Sequence, residues 1–348
     1  MATRVCITVD TEFSIGGAFA DADRTPVGEP LVWCDVGGRS QGLGFLLEQF
    51  QRSQIPATFF VEALQQQYFR HDPMGAIARR IHAEGHDVQL HAHPCWSVFR
   101  HSDWRERVRQ QPRQDDFHGR DEDSSLELIR EGLATFGGWD VPAPTVFRSG
   151  SLQHDDSMYR ALARSGMPYS SSVGVAMFDS GDERYRLYSG MHRRHGVVEF
   201  PVLTFEDWRF GVRSHRKVLT ISGTSFAETR LLLERAHAAQ LPLVVVLTHP
   251  FEYVQCRDHG RSPARTHGVN QERLTQLCRY LDGERGHFLP CTLGGAAPVL
   301  AAAVDTAAVD ADNLLLQGSS WRSLHRMATQ VTYDRYGALA LQRLERAA

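Results

Sequence analysis

No stretch of this chain is apolar for long enough to cross a bilayer. The most hydrophobic window, Leu241 to Leu247 (LPLVVVL), is far short of the ~20 residues a spanning helix needs, so no transmembrane segment is expected. Cysteine is sparse and lacks paired spacing. The six residues Cys6, Cys34, Cys95, Cys256, Cys278 and Cys291 form neither a disulfide frame nor a zinc-cysteine motif, and read as reduced thiols. The opening residues lack a basic stretch followed by an apolar core, which predicts a protein without a signal peptide and a cytoplasmic location. Excess charge is also missing: a formal net charge of −3 argues against a general electrostatic grip on nucleic acid or anionic lipid. There is no internal repeat, low-complexity tract or long linker. What is present is 348 residues with 42% hydrophobic and 23% charged content, enough for a large core in one or two domains.

Strand-like and helix-like runs alternate through most of the length. Strands are expected at Val5–Val9, Ala57–Val61, Asp87–His91, Thr145–Arg148, Tyr169–Val173, Val197–Val202, Leu243–Thr248 and His287–Thr292. Helices are expected at Gly42–Ser53, Gly75–Glu84, Ser124–Phe136, His154–Ser165, Ser225–Gln240 and Gln271–Asp282. The first helix shows the reasoning: Leu43, Leu46, Leu47 and Phe50 recur at helical spacing, and Pro56 ends the run. For Ser124–Phe136, Asp123 or Ser124 is the expected N-cap, with Glu127 placed for a capping box. A β-then-α order repeated about seven times indicates a parallel sheet wrapped by helices, and suits a barrel better than an open sheet. The composition changes near Gly294. Residues 1–295 are therefore expected to form the barrel. Residues 296–348, with an Ala-rich segment and a tail holding Trp321, Tyr333 and Tyr336, are expected to form a helical appendage packed on it.

Four motifs lie at C-terminal strand ends, where the loops of parallel α/β folds converge on a site. In Val9-Asp10-Thr11-Glu12 two carboxylates at i and i+2 point to one side of an extended chain, so one can bind a metal while the other takes a proton. In Leu90-His91-Ala92-His93-Pro94 two imidazoles share one face, as a metal requires. His249, in Leu247-Thr248-His249-Pro250, suits a general acid. Arg148, in Phe147-Arg148-Ser149-Gly150, can hold a carboxylate and keep a base ionised. Each has a bland reading: a solvated strand end, core imidazoles in a chain with 17 histidines, a structural histidine, a surface ion pair. Their joint placement favours chemistry.

The order of these motifs resembles the polysaccharide deacetylases with a NodB-homology domain (carbohydrate esterase family four), over roughly residues 3–295. The stretches Leu162–Gly166, Tyr169–Val173 and Glu199–Val202 also look like that family. The resemblance implies a distorted (β/α)7 barrel, with Asp10 as catalytic base, Arg148 as its tether and His249 as general acid. It implies a metal held by Glu12, His91 and His93. Two departures stand out: Thr11 takes the place of the second aspartate of the family's first motif. Cys95 stands where its second histidine is usual, so His93 must serve. The His-x-His-Pro form resembles a branch linked to surface-polysaccharide and lipopolysaccharide assembly.

The resulting expectation is hydrolytic removal of acetyl from an acylated amino sugar. Zn2+ is the first choice of ion, with Co2+, Fe2+ and Ni2+ suited to the same ligands. Trp96, the insertion 97–123 and Phe251 are expected to shape the substrate groove. The loop 252–270, with Arg257, His259, Arg261, Arg265 and His267, is read as a lid or simply a solvated loop. The rival readings are an amidohydrolase-type barrel, whose His-x-His pair would end the first strand, a silent glycan-binding barrel, and a non-catalytic partner in glycan assembly.

Overall fold

The computed structural model describes residues 2–256, 264–303 and 313–347, with side chains as far as residue 342. Seven parallel strands carry the fold: β1 (Thr3–Thr11), β2 (Thr58–Glu62), β3 (Asp87–Ala92), β4 (Val146–Ser149), β5 (Tyr169–Ser170), β6 (Val197–Glu199) and β7 (Leu243–Thr248). They neighbour one another in the order β7-β1-β2-β3-β4-β5-β6, with His192–Arg194 added antiparallel at the far edge. Every residue of β2 and β7 is buried, which is why their sequences are near-continuous apolar runs rather than alternations. Helices α1 (Leu43–Arg52), α2 (Pro73–Ala83), α3 (Glu122–Gly137), α4 (Asp156–Ser165), α5 (Phe226–Ala238) and α6 (Gly268–Gly283) follow the strands.

The sheet curls until its two ends nearly meet. Leu203 donates to the Val245 carbonyl, Leu247 donates to Leu219, and Ile221 donates to Leu247, so irregular chain occupies the outer edge of β7. This is the distorted (β/α)7 barrel expected from the sequence. Side-chain alternation then sorts residues into two layers. Val5, Ile7 and Val9 join the outer core under the helices. Cys6 faces inward with Phe60, Val146, Val198 and Val245. The helix Leu293–Ala303 plugs the floor, placing Leu293, Ala296, Ala297 and Leu300 in that inner cluster. Backbone N–H groups of Leu293 and Gly294 donate to Thr58 Oγ1 and Asp87 Oδ2 at the strand starts, at 2.7 and 2.9 Å.

Several expected boundaries shift for local reasons. The N-cap of α3 is Asp121, whose carboxylate accepts from Ser124 N at 2.9 Å. Asp123 and Ser124 are thus inside the first turn, and Glu127 reaches Arg100 instead of closing a box. Strand β5 stops at Ser170 because Glu199 Oε1 accepts from the N–H groups of Ser172 and Val173, both at 2.9 Å, replacing the ladder with a side chain. The expected strand His287–Thr292 shortens to Phe288–Pro290, since Thr292 begins the floor helix. The hairpin Thr204–Phe210 with Arg213–Val218 has no counterpart in the sequence reading. Helix α7 (Ser320–Ala347) lies on that hairpin. There Arg326 joins Asp207 at 3.0 Å and Glu228 at 3.1 Å in a buried network. Among the described residues no helix is long and apolar enough to cross a membrane, and no two cysteines are joined in a disulfide.

Candidate active site

Period-two alternation and strand register deliver the site. Glu62 pairs with His91, and His91 pairs with Arg148, so all three point to the same face at the C-terminal mouth of the barrel. Asp10 and Glu12 share the inward parity of Cys6 on β1 and its extension.

Glu12, His91 and His93 converge. Glu12 Oε2 lies 3.2 Å from His91 Nε2 and 2.8 Å from His93 Nε2. The opposite ring nitrogens face acceptors that cannot donate: His91 Nδ1 is 2.9 Å from the Arg148 carbonyl, and His93 Nδ1 is 3.0 Å from both oxygens of Asp115. Each neutral imidazole must therefore carry its proton on Nδ1, which turns two Nε2 lone pairs toward a carboxylate. With both rings neutral such an arrangement repels itself unless a cation, a metal ion or a proton on His93, sits between. The separations are close to the ~3.3 Å edge of a tetrahedron with ~2.0–2.1 Å ligand distances. The donor set fits a divalent ion, and the outer partners of the two histidines are those that orient metal-binding imidazoles. A second cluster among the described residues, His93, Cys95 and Asp115, shares His93.

Electrostatics follow from this crowding. Burial raises the Glu12 pKa, but His93 and His91 overcome it and hold the carboxyl well below its usual range. Burial opposes protonation of His93, yet Asp115 and Glu12 push its pKa well up. Glu62 is fully buried, and burial lifts its carboxyl to about 7. One of its oxygens accepts from Leu64 N at 2.7 Å, and the other has no partner.

Asp10 and Arg148 form a second unit. Arg148 is completely buried and donates to Asp10 Oδ1 at 2.8 Å, Thr8 Oγ1 at 2.9 Å, and the carbonyl and hydroxyl of Ser171 at 2.8 and 2.7 Å. Its guanidinium lies over the Phe60 ring, 4.2 Å from the centroid. The arginine is thus fixed on every side and fixes Asp10 in turn.

His249 ends β7 on the same mouth. Its Nδ1 is 3.2 Å from Glu252 Oε1, and Glu252 is itself held by Ser222 Oγ at 2.8 Å and Thr248 Oγ1 at 2.7 Å. Burial disfavours the charged ring, but Glu252 first, then Asp10 and Glu12, raise its pKa to about 9. Phe251 stacks on the imidazole with centroids 4.8 Å apart. A cavity of about 260 Å3 opens beside Glu12 and His93 and is lined also by Trp96, Arg113 and Phe251. Trp96 is only 1% exposed and packs on Phe69 and Phe99.

The structure brings together Asp10 with Arg148 and Glu12 with both histidines, and sets His249 near the carboxylates. Sequence reasoning missed Asp115, Glu252 and Ser171. Glu252 was discoverable as an acid three residues past His249. Asp115 sits 22 residues past His93 in irregular chain, where no spacing rule applies. Gly150, part of the Arg148 motif, permits the whole arrangement: a Cβ there would lie 2.4 Å from His93 Nδ1. Of the loop 252–270, Arg257, His259 and Arg261 lie outside the described residues. His267 is buried against Tyr333, and Arg265 lies over the rings of Tyr333 and Tyr336.

No family model and no curated protein matches the chain. Among solved structures it is similar to a protein from Mycobacterium smegmatis described as a polysaccharide deacetylase, at 17% identity over 87% of this chain and 91% of that one, with a TM-score of 0.48. It is also similar to Puue allantoinase, at 14% identity over 86% and 90% of the two chains, with a TM-score of 0.46. A family 4 carbohydrate esterase from Streptomyces lividans in complex with acetate matches at 12% identity over 82% and 90%, with a TM-score of 0.37. What the site can do rests on its own residues.

Proposed function

We propose that this chain is a divalent-metal-dependent hydrolase that removes the acetyl group from an N-acetylated amino sugar, in the manner of the polysaccharide deacetylases its motifs resemble. One observation carries the reading: two imidazole lone pairs and a carboxylate converge beside an arginine-fixed aspartate and a protonated histidine, all at one barrel mouth. A bound divalent ion, Zn2+ first and Co2+, Fe2+ or Ni2+ as alternatives, would be held by Glu12, His91 and His93 and would supply Lewis acidity toward an acyl oxygen and water.

The chain's own groups do the rest. Asp10 accepts the proton of the attacking water, and Arg148 keeps it aimed. Phe251 and Trp96 wall the cavity and restrict access of bulk solvent. His249, protonated at neutral pH because Glu252 faces it, donates its proton to the leaving amine nitrogen. The histidine pair ends the third barrel strand, whereas the amidohydrolase arrangement would place it on the first. We further assign the protein to the cytoplasm and to surface-polysaccharide or lipopolysaccharide assembly, a role supported by the His-x-His-Pro form.

The test combines metal analysis with acetate release from a panel of N-acetylated sugars and sugar nucleotides. Stoichiometric metal in the wild type and its loss in His91→Ala and His93→Ala are expected, with acetate released only by the loaded protein. Unchanged metal content in both variants would refute the ligand assignment. A metal-loaded protein releasing no acetate from any substrate would refute the activity.

A further inference from the structure

A second cavity, of about 230 Å3, adjoins the first. It is walled by Arg100, His101, Arg107 and Arg120, with Gln111 and Gln114 between them. Cys95, two residues past His93, lines both cavities. Most of the wall comes from the insertion between β3 and α3.

Three guanidinium groups around so small a space repel one another unless something anionic joins them. Two already have carboxylate partners: Arg107 binds Asp103 at 2.8 Å, and Arg100 binds Glu131 at 2.8 Å. Arg100 Nε is nonetheless buried with no partner. Arg120 is different. Its Nε donates to the Asp116 carbonyl at 3.2 Å, and among the described residues it makes no ion pair. Burial holds its pKa below the usual value, with Asp121 and Asp116 only partly compensating. The single acidic wall residue, Glu127, is engaged by Arg100 at 3.4 Å. An arginine with its outer nitrogens free, beside two further guanidiniums and two side-chain amides, is the chemistry that grips phosphate or carboxylate oxygens.

We propose that this arginine cavity binds an anionic group of the substrate, a phosphate ester or a sugar carboxylate, while the acetamido group lies at the metal centre; this rests on the deacetylase reading above. The substrate is then an anionic amino sugar rather than a neutral one. Arg120 is its principal contact, and Arg107 and Arg100 are its flank.

Binding is measured by titration calorimetry with N-acetylglucosamine 1-phosphate, the uronic acid of N-acetylglucosamine, neutral N-acetylglucosamine and inorganic phosphate. At least one anionic sugar is expected to bind roughly tenfold or more tighter than the neutral sugar. Which one does so identifies the anion. Inorganic phosphate should compete if it is the phosphate. Arg120→Ala should lose roughly tenfold or more for that ligand and under about twofold for the neutral sugar, and added salt should weaken only the anionic ligand. Arg107→Ala, at a partly exposed position, and Arg120→Gln serve if Arg120→Ala does not fold, as a thermal melt will show. Equal affinity for charged and neutral sugars, binding of neither, or anion binding unchanged in all folded variants overturns the proposal. Because binding is read without turnover, the two readings fail separately. Arg120-dependent anion binding without acetate release sinks only the activity. Deacetylation of neutral sugar with KM unchanged by Arg120→Ala, and no preference for charged sugar, sinks only the anion site.

Discussion

Replacing Arg148 by Met removes the most heavily bonded side chain of the barrel interior. The guanidinium is completely buried and makes four hydrogen bonds, to Asp10, to Thr8 and twice to Ser171. Methionine preserves much of the volume and the contact with Phe60, so cavity formation is a minor loss. The cost arises from what stays behind. Asp10, with a side chain only 6% exposed, becomes a buried carboxylate without its partner, which costs about 3–5 kcal/mol. The Ser171 carbonyl also loses its donor, worth ~1–3 kcal/mol if nothing replaces it. The paired change Asp10→Asn with Arg148→Met removes the orphaned charge. The double variant should therefore be less destabilised than the sum of the singles, with a coupling energy of about 0.5–3 kcal/mol. Urea unfolding of chelator-treated protein, read as midpoint shifts at constant m, measures all three variants. Activity should fall in each. If Arg148→Met unfolds within ~1 kcal/mol of wild type, or the cycle closes without coupling, the arginine is not holding the aspartate as described.

Gly150→Ala tests the close approach of the Arg148 motif to His93, a proposed metal ligand. With a Cβ forced to within 2.4 Å of His93 Nδ1, the ring must leave its position, and metal content by mass spectrometry should drop while the circular dichroism spectrum is retained. Asp115→Asn keeps the shape but weakens the acceptor on His93, and metal affinity should fall by roughly 10–100-fold; affinity equal to wild type in a competition titration would count against that role. The pH dependence follows from His249, whose pKa is raised from an ordinary 6.5 to about 9. A raised pKa stabilises the fold fully below about pH 6.5, and this contribution disappears as pH climbs through about 9. It is worth at most about 3 kcal/mol in chelator-treated protein. Glu252→Gln should abolish most of that slope in a pH series of unfolding midpoints and move the alkaline limb of kcat to lower pH. Adding Zn2+ to metal-free protein should raise Tm in proportion to the logarithm of its concentration above Kd, and a Tm indifferent to Zn2+ in wild type refutes the site.

Much of this architecture can be read from residues alone, for identifiable reasons. Strands buried on both faces, such as Leu243–Thr248, must be continuous apolar runs, and the strand-end pairs Asp10/Glu12 and His91/His93 inherit the same period of two. Those features depend only on near neighbours in sequence. Asp115, Ser171 and Glu62 depend on register and loop path, which local pattern does not encode. The hairpin Thr204–Val218 escaped notice because its second strand, Arg-Ser-His-Arg-Lys-Val, is mostly exposed and reads as loop. At the start of α3, three residues of the run Asp121 to Ser124 (Asp121, Asp123 and Ser124) are acceptable caps, and only the backbone geometry selects Asp121.

The sheet order carries a consequence for how the protein is made. Strands β1 to β4 pair sequentially, so Glu12, His91, His93, Asp115 and the Asp10–Arg148 pair are all present once residue 149 has been synthesised. The other edge of β1 is covered by Leu243–Thr248, Phe288–Pro290 continues the edge that β2 occupies, and the floor plug follows at Leu293–Ala303. Contacts so distant in sequence form slowly. A growing chain therefore holds an open, apolar β1 edge through most of its synthesis, the kind of surface that chaperones shield. The strand that closes that edge is also the one that brings His249: Glu12, His91 and His93, the ligands we propose, are laid down first, and the histidine follows only when the barrel shuts.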